Sequence, residues 1–129
     1  MIEMTNGEVM QAAQALEELG RERLPVAGAL RVRKVTRAVQ AHLQDVEAVR
    51  VDLLKRNGET DAVGELLTGE DGQVLFRDDE AQADFAREYE ALMAETWQTE
   101  YGVRVSDLGN IEVRPSVLVG LGALLEDTE

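Results

Sequence analysis

The sequence contains no cysteine, which excludes a disulfide framework, a thiol nucleophile and a zinc site made of thiolates. It has one histidine, His42, and a single histidine makes a zinc site improbable. Aromatic residues make up 4% of the chain, too few to stack single-stranded nucleic acid. No apolar run reaches the roughly 18 residues of a transmembrane helix, and no secretory signal is recognisable. We therefore expect a cytoplasmic protein that does not bind membranes.

Acidic residues outnumber basic residues by 26 to 13, which gives a net charge of −13. A surface of that charge repels nucleic-acid phosphates and anionic lipid headgroups, so direct binding to either is not expected. Hydrophobic residues make up 44% of the 129 residues, enough for one modest core. We predict a single domain over residues 1–129.

Apolar spacing predicts a first helix and then one long helix. Thr5 and Glu8 have the spacing of a capping box at the start of the first helix. In residues 29–56, seven residues recur alternately three and four apart, the seam of a coiled-coil-like helix. They are Val32, Val35, Val39, His42, Val46, Val49 and Leu53, and Leu30, Leu43 and Leu54 widen the seam. Asn57 and Gly58 predict a left-handed end to this helix.

The second half of the chain is predicted to fold back along the long helix. Residues 58–77 are interrupted by glycines and predict a mobile loop, and residues 78–97 predict a second long helix with an acidic start. Short strands are expected in residues 99–105 and 111–113, and Pro115 suits the first position of a closing helix. The expected fold is mainly α with minor β structure: a long antiparallel helical hairpin, short helices at both ends and a base of two to three strands.

Charge is distributed unevenly along the chain. Residues 21–56 hold nine basic and four acidic residues, whereas residues 59–100 hold two basic and thirteen acidic residues. Antiparallel pairing would therefore place a basic helix beside an acidic one and disfavour self-pairing of the acidic helix. Exposed ion pairs contribute only about 0–1 kcal/mol each, so the apolar seam must supply the stability.

No group of residues has the composition of a catalytic site. His42 has no serine nearby, and neither Asp45 nor Glu47 lies four residues after it, which favours a structural hydrogen bond within a helix pair over a role as general base. The acidic residues 78–80 suit a helix start better than a metal site. Gly120 and Gly122 lack the context of a phosphate-binding loop, so we expect them to allow close helix packing. We predict a non-enzymatic protein without catalytic, cofactor-binding or metal-binding residues.

Two groups of charged residues are the candidate partner-binding residues. The basic group lies at the start of the long helix and consists of Arg31, Arg33, Lys34 and Arg37, with Arg21 and Arg23 before it. Internal neutralisation, by Glu17 and Glu18 or by the acidic helix, is one interpretation of this group. A phosphate-bearing ligand or an acidic partner is the other. The acidic group lies along the second long helix and consists of Asp84, Glu88 and Glu95.

Several segments that form caps and turns in the predicted fold also carry a resemblance. They are Thr5-Asn6-Gly7-Glu8-Val9, Leu24-Pro25-Val26, and the run from Val105 to Val113 before Pro115. With them, most of the chain resembles a group of small uncharacterised proteins encoded by tailed bacteriophages and prophages. The resemblance implies a phage origin and an accessory or assembly role, and it brings no catalytic residue.

The sequence leaves two main functional hypotheses. The first is a non-enzymatic phage accessory or assembly protein that binds a protein partner, either itself or a larger phage or host protein, in the host cell cytoplasm. The alternative is an acidic inhibitor that mimics nucleic-acid charge and occupies a host protein. A small enzyme or phosphate-ligand binder that uses the basic residues between 21 and 37 is a third hypothesis.

Overall fold

The computed structural model describes residues 1–126. The four α-helices are Asn6–Leu19 (α1), Val26–Asn57 (α2), Asp79–Ala94 (α3) and Pro115–Leu121 (α4). The strands are Ile2–Thr5 (β1), Thr96–Thr99 (β2), Val103–Arg104 (β3) and Leu125–Glu126 (β4), and short 3-10 helices cover Val105–Leu108 and Gly122–Leu124. The predicted fold class, mainly α with minor β structure, is confirmed.

The predicted capping box starts α1. The Glu8 backbone N–H donates to Oγ1 of Thr5 at 3.2 Å, and the Thr5 N–H donates to Oε1 of Glu8 at 2.9 Å. Two N–H groups that lack a partner inside the helix are satisfied in this way.

The chain forms two compact units. The first combines Met1–Gln44 with the chain from Glu95 onward, and the second is Asp45–Ala94. Because α2 runs through Gln44, it contributes residues to both units. The single domain expected over residues 1–129 stays a prediction.

The core of the first unit combines α1, the first half of α2 and α4 with side chains from β1, β3 and the two 3-10 helices. The largest buried side chains in it are Met4, Leu16, Leu19, Leu121 and Leu124. Gly120 allows α4 to lie close against α1, since an added Cβ would stand 3.1 Å from the Cβ of Ala15. The expectation of close helix packing is confirmed at Gly120 and wrong at Gly122, which has a positive φ of 53° and no atom within 4 Å of an added Cβ.

The first unit also holds the strands, which differ from the predicted base. β1 pairs antiparallel with β2, and β3 pairs parallel with β4 in a separate sheet. The prediction of a helix up to Trp97 is wrong, because α3 ends at Ala94 and Trp97 lies in β2 opposite Met4. The expected strand at residues 111–113 is also wrong. Ile111 and Val113 pack against the core without a strand partner.

In the second unit, the chain at the start of α3 and a residue further along α3 both contact the end of α2. The Arg77 N–H donates to the Asn57 carbonyl at 3.2 Å just before α3 begins, and further along α3 Glu88 pairs with Arg56 at 3.3 Å. Val46, Leu53, Leu54 and Ala81 are buried. The long seam of α2 is thus divided, since Val32, Val35 and Val39 belong to the core of the first unit.

Residues 58–77 are joined to one another by isolated antiparallel β-bridges and do not form a fully irregular loop. Gly58 pairs with Phe76, Thr60 with Leu66 and Thr68 with Val74. The predicted left-handed helix end is wrong, because Gly58 is not among the glycines with positive φ. Glycine is needed at this position because of space: a Cβ there would lie 2.5 Å from Cδ2 of Leu66. Mobility of this segment stays a prediction.

Candidate functional site

A groove of about 630 Å³ lies between α1 and the first half of α2, wholly within the first unit. Its floor is apolar and includes the buried side chains of Leu16, Val32 and Val39. The volume lies within the range of roughly 300–1,000 Å³ that is typical of binding pockets. The groove can therefore hold several apolar side chains of a binding partner.

Small residues keep the groove open. Ala13 and Gly20 line it from the side of α1, and Ala29 lines it from α2. None of these residues has a side chain long enough to reach across and fill the space. α4 packs through Gly120 against Ala15, which does not line the groove, so α1 is supported on another face.

Large apolar side chains stand exposed beside the groove. Leu30 lines it and is 55% exposed, whereas the sequence placed this residue in the buried stripe of the long helix. Val26, one turn earlier on α2, is 88% exposed, and Met10, one turn before Ala13, is 44% exposed. An apolar floor with apolar side chains at its rim is typical of a protein-binding surface.

The two walls of the groove carry opposite charges. Arg33 lines the α2 wall, and Arg37 is exposed one turn further along the same face. Glu17 lines the α1 wall, and Glu22 follows in the connection to α2. Glu17 pairs with Arg21 at 2.9 Å. Within residues 1–126, no carboxylate stands within ion-pair distance of Arg33 or Arg37.

The predicted basic group does not converge on one site. Arg31 turns away from the groove: its Nε donates to the Gly102 carbonyl at 2.7 Å, and its Nη2 lies 3.8 Å from Oε2 of Glu126. Arg104 lies 3.8 Å from the same carboxylate oxygen. Lys34 is exposed and does not line the groove. Internal neutralisation therefore applies to Arg21 and Arg31, and of the predicted group only Arg33 lines the groove.

The candidate acidic residues are divided between the two units. In the second unit, Asp84 pairs with Arg87, and Glu88 pairs with Arg56 of α2 at 3.3 Å. Glu95 belongs to the first unit, where its backbone carbonyl accepts a hydrogen bond from the Asn6 N–H at 2.9 Å. Two of the three carboxylates thus already have an arginine partner.

The clearest electrostatic effect on a titratable group is in the second unit. Arg50 donates from Nε to Glu47 at 2.8 Å, and its Nη2 also reaches that carboxylate. The hydrogen bonds from Arg50 lower the pKa of Glu47, and Glu47 raises the pKa of Arg50. Both groups remain charged at neutral pH, so they form an ion pair between successive turns of α2.

His42 has a structural environment, as the sequence predicted. Its Nε2 lies 2.6 Å from Oδ1 of Asn6 on α1, and its ring stacks on Trp97 with centroids 5.0 Å apart. His42 and its two partners, Asn6 and Trp97, all belong to the first unit. This arrangement ties α2 to α1 and β2.

Among the described residues, no three His, Asp or Glu side chains gather in a way that would hold a metal ion. Over the same part of the chain, no helix is both long enough and apolar enough to cross a bilayer.

No sequence pattern predicted the groove. It depends on the separation of two helices, which is a tertiary property, although small residues at Ala13, Gly20 and Ala29 were a usable signal. Comparison of the chain with protein-family models, curated proteins and solved structures gave no match.

Proposed function

We propose that the protein is a non-enzymatic interaction protein that binds an amphipathic helix of a partner protein in the groove between α1 and α2. The observation that carries this proposal is the open apolar groove with Leu30 exposed at its rim. A helix laid between two others buries its apolar side chains at a spacing of three and four residues.

The shape of the groove favours a helix over a flat surface. The floor lies between two helices and is lined by Leu16 and Val39, so a convex ridge of side chains is needed to reach it. Burying Leu30 against such a ridge would remove apolar surface from water. Each Å² buried would stabilise the complex by about 25 cal/mol.

The assignment as a non-enzymatic protein is supported by the contacts of its only histidine. His42 hydrogen-bonds to Asn6 and stacks on Trp97 rather than lining the groove. The roles as a phage accessory or assembly protein, and the cytoplasm of the host cell as its location, rest on the resemblance of the sequence.

The alternative, an acidic mimic of nucleic acid, receives less support. It requires the carboxylates of α3 to make contacts with another molecule. Asp84 and Glu88 are paired with Arg87 and Arg56, so a partner would have to break these ion pairs to use them.

The proposal is tested with a synthetic helical peptide longer than about 15 residues, with a leucine ridge and uncharged glutamine flanks. We expect saturable one-to-one binding, measured by fluorescence anisotropy, that Leu30→Asp abolishes. Val119→Asp is the matched control, because Val119 is 77% exposed on α4 and outside the groove.

Circular dichroism establishes that both variants keep the wild-type fold. Absence of peptide binding, or equal loss in both variants, would overturn the proposal. Sedimentation supplies a second readout: a dimer that Leu30→Asp dissociates would identify a second copy, rather than another protein, as the occupant.

A further inference from the structure

The charges on the groove walls define the partner more closely. We propose that the bound helix carries acidic residues on the flank that faces α2 and basic residues on the flank that faces α1. This inference rests on the proposed function, since it concerns the occupant of the same groove.

The α2 wall of the groove has the stronger preference for a charge on the bound helix. Arg33 and Arg37 lie one turn apart on an exposed face, and neither has an ion-pair partner among the described carboxylates. Arg31, two residues before Arg33, is held by the Gly102 carbonyl and does not compete for a ligand there. Two unpaired cations beside an apolar floor favour carboxylates next to the leucine ridge of a partner.

The α1 wall of the groove has the weaker preference for a charge on the bound helix. Glu17 is exposed but already shares its charge with Arg21 at 2.9 Å. Glu22 lines the groove and makes no ion pair within the described chain. A basic flank is therefore favoured on this side, but by less than the acidic flank is favoured at α2.

Net charge alone predicts a different preference. At −13, the chain as a whole attracts a basic peptide and repels an acidic one. Salt screens that general attraction over about 8 Å at physiological ionic strength, while contacts on the groove walls persist. The order of affinities for charged peptides therefore separates the local walls from the overall charge.

The experiment uses three peptides with the same leucine ridge at about 0.15 M salt. One has an acidic and a basic flank, one has two acidic flanks, and one has two basic flanks. We expect the mixed peptide to bind tightest, the acidic peptide next and the basic peptide weakest. The Kd should rise about threefold to tenfold from each peptide to the next in this order, which is the range that a few exposed ion pairs allow.

A double variant reverses the preference. With Arg33→Glu and Arg37→Glu both walls are acidic, so the peptide with two basic flanks should become the tightest ligand. The matched control combines Lys34→Glu with Lys55→Glu, which changes the net charge equally at exposed positions outside the groove. The control should keep the wild-type order.

The outcomes distinguish this inference from the proposed function. Equal binding of all three peptides, with loss in Leu30→Asp, would overturn the charge assignment and leave the groove as the binding site. Tightest binding of the basic peptide to the wild type, or reversal by the control variant, would also overturn it, in favour of general attraction. Failure of every peptide, including the uncharged one, would overturn the proposed function itself.

Discussion

His42 donates a hydrogen bond from Nε2 to Oδ1 of Asn6 over 2.6 Å, and this bond joins the middle of α2 to the first residue of α1. Asn6 is only 3% exposed, so the bond is shielded from water at one end. The same imidazole stacks on Trp97 of β2 with an interplanar angle of 11°. Three elements of the first unit are therefore oriented through one side chain.

Replacing Asn6 with alanine should destabilise the protein. The change removes a buried acceptor and leaves the His42 N–H without this partner, which costs about 1–3 kcal/mol. Urea unfolding measures the loss. Gln44→Ala, at an exposed position of α2, is the control and should stay within about 0.5 kcal/mol of the wild type.

A double-mutant cycle with His42→Ala isolates the contribution of this bond from that of the Trp97 stack. Strictly additive effects of Asn6→Ala and His42→Ala would show that the bond contributes nothing to stability.

Truncation of the α2 seam should have unequal effects at its two valines in the second unit. Val46 is 6% exposed, so Val46→Ala should cost about 1–3 kcal/mol through lost burial and the cavity left behind. Val49 is 43% exposed and serves as the control, with a smaller expected loss for Val49→Ala. Thermal melts of both variants make the comparison. Unchanged stability in Val46→Ala would contradict the buried seam.

Adding a methyl group at Gly28 should disturb the first unit. A Cβ there would overlap the backbone carbonyl of Asp107, so α2 and the 3-10 helix Val105–Leu108 must separate. We expect Gly28→Ala to cost at least about 1–3 kcal/mol, as overpacking does.

Gly20→Ala is the matched control for this change. Gly20 has φ −63° and ψ −16°, which alanine adopts readily, and its added Cβ would lie 3.4 Å from the nearest atom. This substitution should be neutral or stabilise by up to about 1 kcal/mol. A thermal melt in which the two variants lose the same stability would contradict the close approach at Gly28.

The Glu47–Arg50 pair should give a small pH-dependent stabilisation. Hydrogen bonds from Arg50 hold the pKa of Glu47 below its ordinary value of 4.5. The contribution is therefore complete above the pKa of the unfolded chain and is lost as the pH falls through the lower pKa of the folded state. Because the carboxylate is exposed, we expect less than about 1 kcal/mol.

The measurement is the difference in Tm between the wild type and Glu47→Gln, at pH 7 and then below pH 4. The difference should favour the wild type at pH 7 and shrink on acidification. Glu90→Gln removes an equal charge from an exposed site that has no ion pair among the described residues, and corrects for net charge. A wild-type advantage that grows in acid would refute the assignment.

Local features of the fold were predictable because short-range chemistry determines them. The Thr5–Glu8 cap depends only on two residue types at a fixed spacing. The pairing of β1 with β2 was missed because its two strands lie far apart in the chain, and helical spacing carried on through Thr96 and Trp97.

The candidate site was only partly predictable. Arg33 and Arg37 were identified as binding residues, but the sequence could not distinguish them from Arg31, whose direction depends on the position of Gly102. Leu30 fits the apolar spacing of α2 and yet lines an open groove, where more than half of its surface stays exposed. Spacing defines a face of a helix, whereas the neighbour of that face is decided by the tertiary fold.

The pairing of β1 with β2 has a consequence for the order of folding during synthesis. Glu3 and Gln98 are neighbours in the sheet although they lie 95 positions apart in the chain, whereas Asp45–Ala94 is one continuous stretch. On the ribosome the second unit can therefore close while the first still waits for its later strand and α4. During that interval α1 lacks the packing of α4, so apolar core residues such as Leu19 stay more exposed to water than in the complete fold.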